Sequence, residues 1–134
     1  MADGYARVSQ KVAVVTAQNG PAAALLAPAL AEAYEASIPI LAIVQDVGRN
    51  QTDKNAFQEL DHFDIFRGCA KWVKRVAEMS RIEDYVDMAF TAAASGRPGP
   101  VVLLFPQDLL LEAAPPGLQE QRAVSLGTYP LDRS

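Results

Sequence analysis

Two short segments of the sequence combine the residue types from which a polar ligand site is built. The segment Thr16-Ala-Gln-Asn-Gly-Pro21 separates a β-branched apolar run from a run rich in Ala and Leu, so it predicts a strand-to-helix loop. Backbone N–H groups at the start of the helix could bind an anion or the polar edge of a ring. Gly20 would let a ligand approach the backbone closely. A plain tight turn explains the same residues, and the local chemistry alone favours the turn.

The second segment, Asn55-Ala-Phe-Gln-Glu-Leu-Asp-His62, follows a long polar loop at residues 45–55. Loops of this kind often carry binding or catalytic side chains, which makes Phe57 and Gln58 candidates for contact with a ligand. The alternative is the start of an amphipathic helix in which Glu59 is solvated.

The single histidine and the single cysteine limit the catalytic chemistry that the residues can support. Asp61 could orient the imidazole of His62. Adjacent helical residues do not face each other, however, so we predict a structural or surface histidine instead. With only His62 and Cys69, no Ser-His-Asp or Cys-His arrangement can be argued, and a zinc site is not expected.

Two other segments are explained by structure alone. Ala94-Ser-Gly-Arg-Pro-Gly-Pro100 predicts a helix end, with Gly96 in a left-handed cap. Trp72 is predicted to lie in the core or at an interface, and the neighbouring Lys71 could meet an acidic group.

The composition excludes several classes of function. The 134 residues carry 12 Lys and Arg against 16 Asp and Glu, which gives a formal net charge of -4. Without a basic stripe, nucleic acid is not an expected partner. No apolar run approaches the roughly 18 residues that would span a bilayer. The first ten residues do not resemble a signal peptide, so we expect a cytoplasmic protein that does not bind a membrane.

The elements that must position the candidate residues alternate between strands and helices. Apolar runs predict strands at residues 12–16, 38–44, 71–76 and 100–105. Helices are predicted at residues 22–36 and 57–66, and from a capping box at Ser80 and Glu83 to Ala94. Pro28 conflicts with the first helix because it removes a hydrogen bond.

This alternation is typical of the α/β class, with a parallel sheet and helices on both faces. Ligands of such sheets bind at the carboxyl ends of the strands, which here are residues 16–21, 45–50 and 106–108. Residues 113–134 are rich in Pro, Gly and Gln, and they are predicted to form a linker.

Taken in order, six pieces of the sequence resemble the N-terminal, pyrimidine-binding domain of thiamine-diphosphate enzymes, and most closely the acetolactate synthase large-subunit group. The pieces are Met1-Ala-Asp-Gly-Tyr-Ala-Arg7, Asn19-Gly-Pro21, Ala33-Tyr34 with Ser37-Ile-Pro39, Ala56-Phe-Gln-Glu59 with Asp61, Lys71-Trp72, and Ala94-Ser-Gly-Arg-Pro-Gly-Pro100 with Pro106 and Asp108. Each piece is weak alone, whereas six in register are specific. The resemblance also implies a helix end at Asp3-Gly4, which by itself predicts a turn.

The resemblance implies a thiamine-diphosphate-binding fold, with residues 1–112 as an incomplete pyrimidine domain and residues 113–134 as a linker toward a middle domain. Family members form homo-oligomers, either dimers or tetramers. They use thiamine diphosphate with Mg²⁺ that is held by a diphosphate domain, and FAD can accompany these in the parent enzyme. The implied reaction is decarboxylation of pyruvate and transfer of the two-carbon unit to a second 2-keto acid, as in branched-chain amino acid biosynthesis.

The resemblance also implies roles for the two candidate segments. Asn19, Gly20 and Pro21 correspond to the loop beside the aminopyrimidine, and Phe57 and Gln58 to residues on the substrate side. No catalytic residue is assigned in this chain, since the family's catalytic glutamate would precede its first residue, and no metal ligand is assigned.

Ala22 and Leu25 depart from the family's usual loop, Ser-Gly-Pro-Gly-Ala-Thr-Asn, and remove polar groups from the helix start. The Gln-Asn-Gly-Pro loop also resembles the sulfoacetaldehyde acetyltransferase branch. The open alternatives are a piece of a carboligase that is inactive alone, one subunit of a split enzyme, and a non-catalytic relic that pairs with a full-length homologue. A generic flavodoxin-like binding domain would explain the alternation of elements but not the six pieces.

Overall fold

The computed structural model describes residues 1–113, which fold around one sheet of four strands. The strands are β1 (Ala13–Ala17), β2 (Ile40–Asp46), β3 (Trp72–Arg75) and β4 (Val101–Pro106). Their order in the sheet is β1-β2-β4-β3, and each neighbouring pair is parallel. The parallel α/β architecture expected from the alternation of elements is therefore confirmed.

Six helices and one short 3₁₀ helix at Met79–Arg81 accompany the strands in the described residues. The helices are α1 (Ala2–Ser9), α2 (Pro21–Ala24), α3 (Ala27–Glu35), α4 (His62–Arg67), α5 (Ile82–Ala94) and α6 (Gln107–Leu110). Within residues 1–113, none of them has the length and apolar character needed to cross a membrane. Apart from Ala113, the predicted linker lies outside the described residues.

Strand β4 shows how the two faces of the sheet are buried. Val102 and Leu104 join an apolar cluster with residues of α1, α3 and α4. Val101, Leu103 and Phe105 point to the other face and join a cluster with residues of α5. All six residues of β4 are buried, as expected for a strand that is covered on both sides.

Helix α1 includes Asp3 and Gly4, so these residues are helical as the resemblance implies, but the helix continues to Ser9 and does not end at them. The Nε atom of Arg7 donates a hydrogen bond to Asp3 Oδ2 at 2.8 Å, one turn earlier in the helix. The turn predicted from the Asp-Gly pair alone is wrong, because the helical spacing of this ion pair and the flanking residues outweigh the local preference for a turn.

Pro28 divides the helix that the sequence predicts over residues 22–36. Helix α2 ends at Ala24 and α3 begins at Ala27, so Pro28 lies in the first turn of α3. The N–H groups of that turn have no partner within the helix, and proline there removes no hydrogen bond. The prediction of one continuous helix is wrong, whereas the placement of Pro21 in a first helical turn is confirmed.

The helix predicted over residues 57–66 begins only at His62. Asp61 caps α4, since its Oδ1 atom accepts a hydrogen bond from the backbone N–H of Asp64 at 3.0 Å. Gln58 has a φ of 58°, in the left-handed region that is incompatible with a continuing right-handed helix. Phe57 and Gln58 therefore lie on a loop rather than on a helix.

Helix α5 is buried on the predicted face but begins without the predicted capping box. Its apolar side packs on the β4 cluster through Ile82, Val86, Ala89, Phe90 and Ala93. Ser80 lies within the 3₁₀ helix, and α5 starts after Arg81 with no side-chain cap, so the capping box with Glu83 is wrong. The helix ends at Ala94, and Gly96 follows with a φ of 58°, as its predicted left-handed conformation requires.

Candidate functional site

A cavity of about 500 Å³ opens at the carboxyl edge of the sheet, between the loops that follow β1, β2 and β4. Five carboxamide side chains line it, from Gln18, Asn19, Gln45, Gln51 and Gln107. The remaining lining comes from Val47, Lys54, Ala56 and Phe57. This is the edge at which parallel sheets bind ligands.

The lining of this cavity fits a neutral polar ring better than a metal-phosphate group. Carboxamides both donate and accept hydrogen bonds, which suits the ring nitrogens and amino group of a heterocycle. Lys54 is the one charged residue among the lining residues. In residues 1–113, no three His, Cys, Asp or Glu side chains lie close enough together to hold a metal ion.

Asn19 joins the two candidate segments. It is 8% exposed, and its Nδ2 atom donates to the backbone carbonyl oxygens of Phe57 at 3.3 Å and Gln58 at 3.4 Å. Of the five predicted site residues, Asn19 and Gly20 thus meet Phe57 and Gln58, although the two segments are more than thirty positions apart in the sequence. Of the five, Asn19 and Phe57 line the cavity.

Gly20 lies directly against Gln58 and has no space for a side chain. Its φ of 68° is in the left-handed region, and an added Cβ would lie 2.6 Å from Gln58 Cβ and 2.7 Å from Gln58 O. Both the conformation and the contact require glycine. The close approach to this backbone is therefore made by Gln58, and Pro21 continues from it as the exposed first residue of α2.

Glu59 organises the loop that carries Phe57 and Gln58. Its carboxylate accepts the backbone N–H of Asp53 at 2.6 Å and that of Ala56 at 2.8 Å. The expectation of a solvated Glu59 is wrong, because the tight loop leaves these N–H groups without strand or helix partners. The Phe57 ring is 83% exposed at the mouth of the cavity.

His62 is the buried support of the Gly20 loop. Its Nε2 atom accepts a hydrogen bond from the Gly20 N–H at 3.0 Å, and its Nδ1 atom lies 3.0 Å from Asp46 Oδ1. Because Nε2 accepts, the proton is on Nδ1 and points to Asp46. His62 is 1% exposed, so it is the structural histidine of the two predicted possibilities, and its ring is oriented by Asp46 and Gly20, whereas Asp61 caps α4.

Asp46, at the end of β2, is a buried carboxylate with three partners. It accepts from His62 and from the backbone N–H of Val47 at 2.9 Å, and Arg75 Nη2 lies 2.5 Å from its Oδ2 atom. Burial raises the pKa of Asp46. The hydrogen bond from His62 and the charge of Arg75 together outweigh this effect, so the pKa lies below its ordinary value of 3.8. Asp46 is therefore ionised at neutral pH.

The sequence reasoning missed the Asp46–His62–Arg75 group, because its members lie on three different elements. One signal was present in the sequence. Asp46 lies two residues after the last residue of a continuous apolar run, and a carboxylate at the end of a buried strand needs a cationic or hydrogen-bonding partner.

Two other basic side chains, those of Arg49 and Lys71, connect loops to neighbouring helices. Arg49 donates to Asp108 at 2.6 Å, and it also pairs with Glu112, which ties the loop after β2 to α6. Among residues 1–113, Lys71 pairs with no acidic group: its Nζ donates to the carbonyl oxygens of Ala92 and Ser95 at the end of α5, at 2.5 and 2.9 Å. Trp72, beside Lys71, packs on the α5 cluster, in agreement with the predicted core position.

Comparison with known proteins connects this site to one family. Residues 1–65 match the family model described as the thiamine pyrophosphate enzyme N-terminal TPP binding domain. The acetolactate synthase of Arthrospira platensis is 45% identical over 108 residues, which cover 81% of this chain and 19% of the relative. The mitochondrial acetolactate synthase catalytic subunit of Saccharomyces cerevisiae is 38% identical over 109 residues, with 81% and 16% covered.

The large subunit of Escherichia coli acetolactate synthase isozyme 3 matches a longer part of this chain. It is 37% identical over 129 residues, which cover 96% of this chain and 22% of the relative. The chain thus spans about a fifth of the length of the curated relatives it matches.

Proposed function

Since the chain belongs to the thiamine-diphosphate enzymes, as a domain similar to the N-terminal domain of acetolactate synthases, we propose that it binds the aminopyrimidine ring of thiamine diphosphate. The parent reaction would be decarboxylation of a 2-keto acid such as pyruvate, with transfer of the two-carbon unit. One observation carries the proposal. The cavity lined by carboxamides lies at the carboxyl edge of the sheet, and its Gln18, Asn19, Ala56 and Phe57 fall within the matched residues.

In this proposal the two loops have different roles. Asn19, Gly20 and Pro21 hold the ring side of the cofactor, and Phe57 and Gln58 face the substrate. Asn19 and Phe57 support this division, because one residue from each loop lines the cavity. Bound thiamine diphosphate would supply the electron sink for decarboxylation, and this chain would orient it.

The diphosphate and Mg²⁺ are proposed to be held by a separate domain, which fits a cavity lined mainly by carboxamides and without a carboxylate. We also propose a homo-oligomeric, cytoplasmic enzyme, with FAD as a further cofactor of the parent protein. Exposed apolar side chains support a covering partner: Val14 on the edge strand β1 is 49% exposed, and Leu25 is 78% exposed. The Gln-Asn-Gly-Pro loop at residues 18–21 keeps the sulfoacetaldehyde acetyltransferase branch open as the alternative.

A chimera tests this function directly. In the chimera, this chain replaces the aligned segment of the large subunit of E. coli acetolactate synthase isozyme 3. The alignment covers 96% of this chain. We expect decarboxylation of pyruvate that depends on added thiamine diphosphate, and Phe57→Ala should lower it by about tenfold or more. Met88→Ala, an apolar truncation on the exposed side of α5, is the matched control and should leave the rate unchanged.

Two results would count against the proposal. A folded chimera that neither binds nor uses thiamine diphosphate would favour a non-catalytic interaction domain. Isothermal titration of the isolated chain with thiamine diphosphate and Mg²⁺ is the complementary test, and we expect no heat of binding. Micromolar binding by the chain alone would contradict a site that is shared with another domain.

A further inference from the structure

We infer that His62 is a positioning residue, which together with Asp46 and Arg75 fixes the backbone of Gly20 and so sets the affinity of the adjacent cavity for its ring ligand. The inference rests on the proposed function for the identity of the ligand, but not for the positioning of Gly20. His62 does not line the cavity, and it acts through the loop that does.

One ion pair and two hydrogen bonds form a chain that runs from a partly exposed, charged side chain to the loop. Arg75, one third exposed, pairs with the buried Asp46 carboxylate. Asp46 accepts a hydrogen bond from the Nδ1–H of His62. The unprotonated Nε2 of His62 can then accept a hydrogen bond from the Gly20 N–H. The charge of Asp46 therefore selects the one neutral imidazole tautomer that can bind Gly20. Phe63 lies under the Arg75 guanidinium at 5.3 Å and helps to hold it in place.

The loop has little freedom around this point. The Gly20 N–H is held by His62, and Gln58 lies so close that an added Cβ on Gly20 would be 2.6 Å from it. Asn19, the preceding residue, holds the carbonyl oxygens of Phe57 and Gln58. A small displacement of Gly20 would therefore move the Asn19 and Phe57 surfaces of the cavity relative to each other.

Two substitutions of His62 separate the hydrogen bond to Gly20 from general packing. In His62→Gln the longer amide can place an acceptor where Nε2 lies, whereas in His62→Asn the shorter amide reaches Asp46 but not Gly20. Both replace the ring with a neutral amide, so each serves as the control for the other. Asp46→Asn is paired with Asp87→Asn, an exposed aspartate on α5.

The first measurement uses the full chain without any cofactor. Because His62 is the only histidine, ¹⁵N labelling of histidine gives one imidazole, and its two ring nitrogens report the tautomer. We expect a protonated Nδ1, and a Gly20 amide that exchanges with solvent at least about tenfold faster in His62→Asn than in His62→Gln. A protonated Nε2, or equal exchange in the two variants, would overturn the positioning role.

The second measurement is the concentration of thiamine diphosphate that half-saturates the chimera. We expect about a tenfold rise in His62→Asn, a smaller rise in His62→Gln, and an unchanged rate at saturating cofactor. A rise that tracks the thermal stability of the variants, and not the Gly20 exchange rate, would mean a purely structural histidine and would overturn the inference. The wild-type chimera could show no activity that depends on thiamine diphosphate while the Gly20 exchange rates differ as expected. In that case the proposed function is wrong and the positioning of Gly20 by His62 is supported.

Discussion

Two regions of this molecule, the α5 face of the sheet and the cavity edge, are held together by different kinds of interaction. The α5 face, formed by Val101, Leu103 and Phe105 with Ala89 and Ala93, is apolar and regular, and its members follow strand and helix periods. The cavity edge, formed by residues 18–20, 45–47 and 51–62, is irregular and polar, and buried hydrogen bonds hold it together. The first face supplies stability from burial of area, whereas the second depends on a few directional contacts.

This difference has a consequence for the effects of mutation. Loss of area on the α5 face should lower the free energy of unfolding while leaving the cavity edge unchanged. Loss of one contact at the cavity edge should change the geometry of the site by more than its effect on stability would suggest.

The largest stability effect is expected from Leu103→Ala. Leu103 is fully buried at the centre of the α5 face, and its truncation should lower the free energy of unfolding by about 4 kcal/mol in a denaturant titration. Leu110→Ala is the control, because Leu110 is 55% exposed and should cost less than about 0.5 kcal/mol. In Leu103→Ala, the Gly20 amide should stay protected from exchange with solvent when exchange is measured under conditions in which the variant is folded. If the Gly20 amide exchanged as fast in Leu103→Ala as in His62→Asn, the α5 face and the cavity edge would not be independent.

Gly20→Ala should cost about 3 kcal/mol, because strain at positive φ adds to the clash with Gln58. Gly96→Ala separates these two causes. Gly96 has a similar φ of 58°, but an added Cβ would meet nothing within 4 Å, so only the conformational cost of about 1 kcal/mol remains. Equal losses for the two variants would show that backbone conformation alone matters at the cavity edge.

Asp46→Asn should lower stability by about 2 kcal/mol at neutral pH, since it removes the charge that pairs with Arg75. The pH dependence is the sharper test. The pKa of Asp46 is lowered on folding, so its contribution is present above the ordinary value of 3.8 and is lost as the pH falls through the lowered pKa. The wild-type and Asp46→Asn stability curves should therefore converge in acid. Curves that stay parallel for the wild type and Asp46→Asn would mean that Asp46 is not stabilised as a carboxylate.

The same contrast explains how much could be predicted from the sequence. Strand β4 and helix α5 were predicted nearly to the residue, because a continuous apolar run and a 3.6-residue period report burial directly. The start of α4 and the break at Pro28 were not, since both depend on where backbone groups find partners. The family resemblance assigned the two candidate segments to one ligand site but did not predict the contact of Asn19 with the Phe57 loop. The link between His62 and Gly20 spans 42 positions and has no local signal.

The smallest of these effects is expected from Glu59→Gln, within the cavity edge itself. Glu59 accepts the N–H groups of Asp53 and Ala56 with its two oxygens, whereas glutamine keeps one acceptor and loses the charge. The loss should be about 1 kcal/mol, with faster amide exchange at Asp53 or Ala56, while the Gly20 amide stays protected because His62 still holds it. Glu83→Gln, exposed in the first turn of α5, is the matched control and should cost a few tenths of a kcal/mol. If Glu59→Gln also exposed Gly20, the Glu59 loop and the His62 support would be one cooperative unit, and the cavity edge would have to be treated as a single network rather than as separate contacts.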